Sequence, residues 1–122
     1  MKSMATTLLL LLGLLLGVTA NYRYINEVKK TMNEQIYALP DPTDAECTDA
    51  AGRILDYWKR QEKYVGLSVE YAVLDRVTEQ ATALYACAEC QDLYGYYTAR
   101  SLLSDAVDDM SRLEQLSVEN IF

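Results

Sequence analysis

The chain contains no histidine. That absence removes the commonest general base and the commonest zinc and haem ligand. It also excludes Ser-His-Asp and Cys-His arrangements. Glycine and proline are scarce, 5 and 2 in 122 residues, and Gly13 and Gly17 lie in an apolar N-terminal run. So few breakers imply long helices joined by few turns. Basic residues are outnumbered, 11 against 18 acidic ones, for a formal net charge of −7. An acidic chain with no basic stripe repels phosphate backbones, so no nucleic acid is expected as a partner. Sustained period-two alternation is missing too, and no strands are expected.

What the chain does have is a leucine run, Leu8 to Leu16, broken only by Gly13. No charged side chain lies between Lys2 and Arg23. As a helix this span is about 30 Å long, the thickness of a bilayer's hydrocarbon core. A buried core helix would need a polar stripe, and Leu8 to Leu16 has none. Two readings remain. Tyr22, Arg23 and Tyr24 sit where interfacial aromatics and a snorkelling cation would hold a spanning helix, with lipid contacted through residues 4–24. Alternatively, Lys2, the apolar run and Val18-Thr19-Ala20 form a signal peptide cut after Ala20. No cysteine follows the run directly, so a lipoprotein anchor is not supported.

Beyond the run the pattern becomes amphipathic. Ile25, Val28, Met32, Ile36 and Leu39 recur every three or four residues, so the first helix is expected to continue to about Ala38. Pro40-Asp41-Pro42 stops it. Thr43-Asp44-Ala45-Glu46 has the form of a capping box opening a second helix, 44–65. Its seam is Cys47, Ala51, Ile54, Trp58, Gln61 and Val65, and on its far face Asp56 and Arg60 are spaced to pair. Gly66 suits a left-handed C-terminal cap, and Ser68 suits the N-cap of a third helix, 68–90, with Leu74, Val77, Ala81, Leu84 and Ala88 inward. Asp92 caps a fourth, 92–116, whose seam is Leu93, Tyr96, Ala99, Leu103, Ala106, Met110 and Leu113. Short connections force neighbours to run antiparallel. The expected fold is all-α: an N-terminal transmembrane helix (1–24) continuing into a small antiparallel three- to four-helix bundle (25–122).

Three groups of residues bear on chemistry. Cys87 and Cys90 form a CxxC, but a redox pair needs a βαβ setting and haem attachment needs histidine where Gln91 stands. Zinc would need Cys47 and a fourth ligand, for which Glu89 is poor. Small core residues, or a disulfide involving Cys47, are the remaining readings for Cys47, Cys87 and Cys90. The chain has 10 tyrosines. They either fill gaps between helices with hydroxyls at the rim, or form an exposed aromatic face for a partner or for lipid headgroups. Asp105, Asp108 and Asp109 are expected on a solvated face, since a di-metal bundle site would need Glu-x-x-His.

The tail ends on Asn120-Ile121-Phe122. Burying two large apolar residues would stabilise by about 3–6 kcal/mol, so it is expected to dock, in the bundle's own groove or on a partner. The helical domain, the Trp58-Lys59-Arg60-Gln61-Glu62 element and the Asn-Ile-Phe terminus together resemble a family of short, membrane-anchored bacterial proteins, domain of unknown function 4363. The resemblance implies an anchor in a bacterial cell envelope; the family has no assigned activity, so it carries over no catalytic role. With no nucleophile–base pair and no cofactor motif, the expectation is a non-catalytic interaction or structural module, not an enzyme, with a protein partner contacted through Trp58 or the tail. The domain is expected outside the cytoplasm. The runner-up is a secreted helical binding protein.

Overall fold

The structure, a computed structural model, describes residues 2–67 and 69–121, the side chains from position 111 onward excepted. Four helices account for the described fold: α1 (Lys2–Tyr37), α2 (Cys47–Val65), α3 (Tyr71–Glu89) and α4 (Leu93–Ile121). No strand occurs among the described residues. α1 packs on α2 and α4, α3 packs on the same two, and among the described residues the backbones of the diagonal pairs stay apart. The arrangement is a square bundle in which every neighbour is antiparallel. Cross-helix pairs fix the direction: Thr48 with Ala88 and Trp58 with Thr78 between α2 and α3, Asn33 with Asp108 and Tyr37 with Arg100 between α1 and α4.

The apolar periodicity explains which faces meet. Ile25, Val28, Met32, Ile36 and Leu39 are all buried, as are the predicted inward residues of α3. In α2 the seam is buried from Cys47 to Val65 except at Gln61, which is half-buried. Gln61 accepts a hydrogen bond from the Tyr24 hydroxyl, which satisfies the one polar position in that seam. α4 turns Tyr96, Ala99, Leu103, Ala106, Val107 and Met110 inward. Leu93 is an exception: it is 50% exposed, because it opens α4 beyond the level where α1 has ended. Leu113 lies where side chains are not described.

The helix ends depart from expectation in several places, and α4 runs on to Ile121 rather than ending near 116. α2 begins at Cys47, and no side chain caps it. Thr43 does not reach forward because Asp41 holds it: Asp41 Oδ1 accepts from the Thr43 amide at 3.0 Å and its hydroxyl at 2.9 Å. Gly66 is right-handed, with φ −63. Its value is room: a Cβ there would lie 3.2 Å from Glu62 O and 3.3 Å from a Leu74 methyl. The left-handed residue is Gln91 instead, with φ 56, closing α3. There the Asp92 amide donates to Cys87 O (2.9 Å) and the Gln91 amide to Ala88 O (3.4 Å), the two bonds of a Schellman turn. Asp92 then caps α4 as expected, its Oδ1 accepting from the Gly95 amide at 3.1 Å. Ser68 lies outside the described residues; α3 itself starts at Tyr71.

Candidate interaction surface

The leucine run takes no part in the core. Leu8 to Leu16 and Val18 are exposed, whereas the buried residues of α1 begin at Ile25. α1 is long and apolar enough to cross a membrane or to serve as a signal sequence. Its 36 residues make one unbroken helix about 54 Å long, so the apolar half and the bundle half share an axis.

The tyrosines divide between the two ends of the bundle. Tyr96 alone is fully buried; Tyr24, Tyr57 and Tyr85 pack partly against the core. Tyr37, Tyr64, Tyr71, Tyr94 and Tyr97 are exposed. With Tyr22 half-buried, five of the 10 are exposed, so filling gaps does not account for them all. Tyr37, Tyr94, Tyr96 and Tyr97 gather at the end far from the leucine run, where α1 stops and α4 starts. Tyr96 fixes their geometry. Its hydroxyl donates to Pro40 O at 2.9 Å, pinning the α1–α2 connection onto α4. Burial first, and then the interaction of its hydroxyl with Cys47, which favours the protonated phenol, push its ionisation well above the ordinary tyrosine range. The Tyr97 ring meets it edge-on at 5.6 Å, and its hydroxyl donates to Asp41 Oδ2 at 3.4 Å. The hydrogen bonds from Thr43 and then Tyr97 hold the Asp41 carboxyl below the usual range.

With the tyrosines so held, two concavities adjoin across Tyr97 and Ser101. One, of ≈ 630 Å³, is bounded by Leu93, Tyr94, Thr98 and Leu102 and is mainly apolar. The other, of ≈ 520 Å³, lies between α1 and α4 and ends in Arg100, Asp105 and Asp108. An aromatic and aliphatic centre with a charged margin is the composition of a protein-binding patch.

The other sequence candidates fall elsewhere. Trp58 is fully buried, and its indole N–H donates to Thr78 Oγ1 at 2.9 Å. It organises the α2–α3 contact and has no surface to offer a partner. Cys47, Cys87 and Cys90 are free thiols, buried, half-buried and exposed respectively. Burial first, then the Asp92 carboxylate and Cys90, push the Cys87 thiol up, away from the reactive thiolate. Among the described residues no group of three or more His, Cys, Asp or Glu side chains is gathered around one point. Asp109 instead pairs with Arg76 at 2.9 Å, and Asp108 Oδ1 accepts from Asn33. Arg60 turns its Nε to the Asp56 carbonyl rather than to the carboxylate. The side chains of Asn120 and Ile121, and all of Phe122, lie outside the described residues. The sequence already places Tyr94, Tyr96 and Tyr97 together; what it did not reveal is that Tyr37 joins Tyr94 and Tyr97 while Tyr96 turns inward. Their signal was that none belongs to a helix seam, while Tyr96 does.

No family model matches this chain, and no curated protein and no solved structure is significantly similar to it.

Proposed function

We propose that the chain is a single-pass membrane protein whose acidic bundle is a non-catalytic interaction module at the bacterial cell envelope, with the domain outside the cytoplasm. One observation carries the contact reading: exposed Tyr37, Tyr94 and Tyr97 sit together at the end of the bundle farthest from the leucine run. A protein partner would bury these rings between the apolar hollow and the charged margin at Arg100. The envelope assignment rests on the resemblance carried by Trp58 to Glu62 and the terminal Asn-Ile-Phe. Co-purification of the full chain in mild detergent tests the contact. A partner retained by the native chain and lost in Tyr94→Ser and Tyr37→Ser variants is expected. A lone monomer under every condition would sink the reading.

A second reading has its own support. Every buried residue of α1 lies after Ala20, so cleavage there would leave the core whole. The product would be a secreted helical binding protein using the same patch. Intact mass separates the two: a species beginning at Asn21 means release, a full-length one means anchorage.

A further inference from the structure

The end of the bundle nearest the leucine run carries the second group of exposed rings. Its height relative to α1 is fixed by the Tyr24–Gln61 hydrogen bond, which sets Gln61 of α2 beside Tyr24. Because α2 runs antiparallel, Val65 stands level with Ala20, where the apolar run ends. At about 1.5 Å per residue, Lys63 is roughly 3 Å above that level and Lys59 and Arg60 about 8–9 Å above it. The polar layer on each face of a bilayer is roughly 5–8 Å deep. The α2–α3 turn therefore lies at the boundary where the apolar run ends, Lys63 within the headgroup layer, and Lys59 and Arg60 at its outer edge.

The side chains there suit that depth. On the turn Leu67 is 85% exposed, between Tyr64 and Tyr71, at 55% and 76%. A leucine so exposed, flanked by two rings, finds no cover among the described residues. Beside it α2 presents Lys59, Arg60 and Lys63 outward, a basic stretch in a chain of net charge −7. Lys63 Nζ lies 5.7 Å from the Tyr64 ring centroid. Of the acids on this face, Glu62 is turned toward the Thr78 hydroxyl, 3.2 Å away, and Asp56 lies a turn farther from the apolar run. Glu70 is the exposed acid of the turn.

We propose that the α2–α3 turn docks on the same bilayer that holds α1. Leu67 enters the boundary between headgroups and chains, the Tyr64 and Tyr71 rings lie at the interface, and Lys59, Arg60 and Lys63 meet anionic lipid phosphates. The occupant is lipid because α1, one unbroken helix, carries the apolar run to this height, and because Lys59, Arg60 and Lys63 cluster here in a chain that is acidic overall. Two points of attachment, α1 and the turn, fix the bundle's rotation on the surface and aim the distal tyrosine patch away from it. The inference rests on the anchored reading of the leucine run.

Tryptophan quenching by spin-labelled lipid tests it on the full chain in vesicles of phosphatidylcholine, with and without phosphatidylglycerol. Trp58 is fully buried and supplies a constant baseline. Leu67→Trp, Tyr94→Trp and Leu12→Trp report the turn, the distal patch and the anchor. The expected result is quenching of Leu67→Trp several-fold above Tyr94→Trp, stronger with phosphatidylglycerol. Adding Lys59→Glu and Lys63→Glu should abolish the phosphatidylglycerol effect, each basic group shifting the docked population about fivefold. Leu12→Trp quenched while Leu67→Trp matches Tyr94→Trp would overturn the docking and leave the anchor standing. An unquenched Leu12→Trp would overturn the anchor and the docking with it. A blue-shifted but unquenched Leu67→Trp would mean that a second copy covers the turn, which also overturns it.

Discussion

Replacing Tyr96 by phenylalanine removes one buried hydroxyl and keeps the ring. The hydroxyl donates to Pro40 O at 2.9 Å and interacts with the Cys47 thiol. A typical internal hydrogen bond contributes about 1 kcal/mol net, and an orphaned buried carbonyl costs about 1–3 kcal/mol. Pro40 is half-buried, so water can partly replace the donor and the lower part of the range applies. The expected loss is about 1–2 kcal/mol, a fall in Tm of roughly 4–16 °C for a domain of this size. Thermal unfolding of both full chains in detergent, followed by far-ultraviolet circular dichroism, measures it. The pH dependence adds a second check. The folded-state pKa of Tyr96 is raised above the unfolded value near 10 by burial and by Cys47. The contribution of the neutral hydroxyl is therefore complete below about pH 10 and is lost as pH rises through the folded value. Wild type should lose stability faster than Tyr96→Phe on the alkaline side, and the gap should close. An unchanged Tm at neutral pH, or a gap that widens with alkali, would refute the latch.

Gln91→Gly should stabilise by about 0.5–1 kcal/mol in thermal unfolding, because glycine relieves the positive φ while adding unfolded-state entropy; any destabilisation would mean that Gln91 is held by something else. Trp58→Phe leaves Thr78 without its indole donor and opens space at a fully buried site, so a loss of about 2–3 kcal/mol is expected by chemical denaturation, with Thr78→Val costing less on its own. Thiol labelling of the native chain should modify Cys90 first and Cys87 slowly, with Cys47 reacting only on unfolding; rapid labelling of Cys47 would show that the Tyr96 end opens freely.

The inward faces were legible because burial follows the helical period so closely. Ile25 to Leu39, Leu74 to Ala88 and Tyr96 to Met110 were each recoverable from spacing alone. Val107 escaped because it stands beside Ala106, off the strict three-four count, on a helix that faces both α1 and α3. The turns were less legible. A capping box is a pattern of two residues, but Asp41, just upstream, competes for the same Thr43 amide and hydroxyl and takes both. Gly66 suggested a left-handed turn by its type, whereas the fold uses it for clearance. Gln91 carries the positive φ with no compositional sign, since the Schellman bonds and the Asp92 cap that follow impose it. The tyrosine patch was half legible: ten rings implied a role, but their partition needed the bundle's height and the end of α1.

That partition ties the parts of the chain to one axis. α1 carries the leucine run at one end and Tyr37 at the other, so the run and the distal patch are linked by a single helix. From Ala20 to Tyr37 is about 25 Å of that helix, too far for the patch to touch a bilayer around the run while α1 stands upright. On the two proposals above, rings at the near end meet lipid and rings at the far end meet protein. A bundle free to swivel about α1 would present the far patch in all directions and pay orientational entropy on each encounter. A bundle held also at Leu67 and Lys63 would present it in one. On this reasoning, removing the near contact should slow capture of a partner fixed in the same membrane and leave capture of a freely diffusing partner unchanged. Association rates of Leu67→Ser measured against a partner in both settings decide it: equal slowing in both would mean that the substitution acts through the fold rather than through orientation.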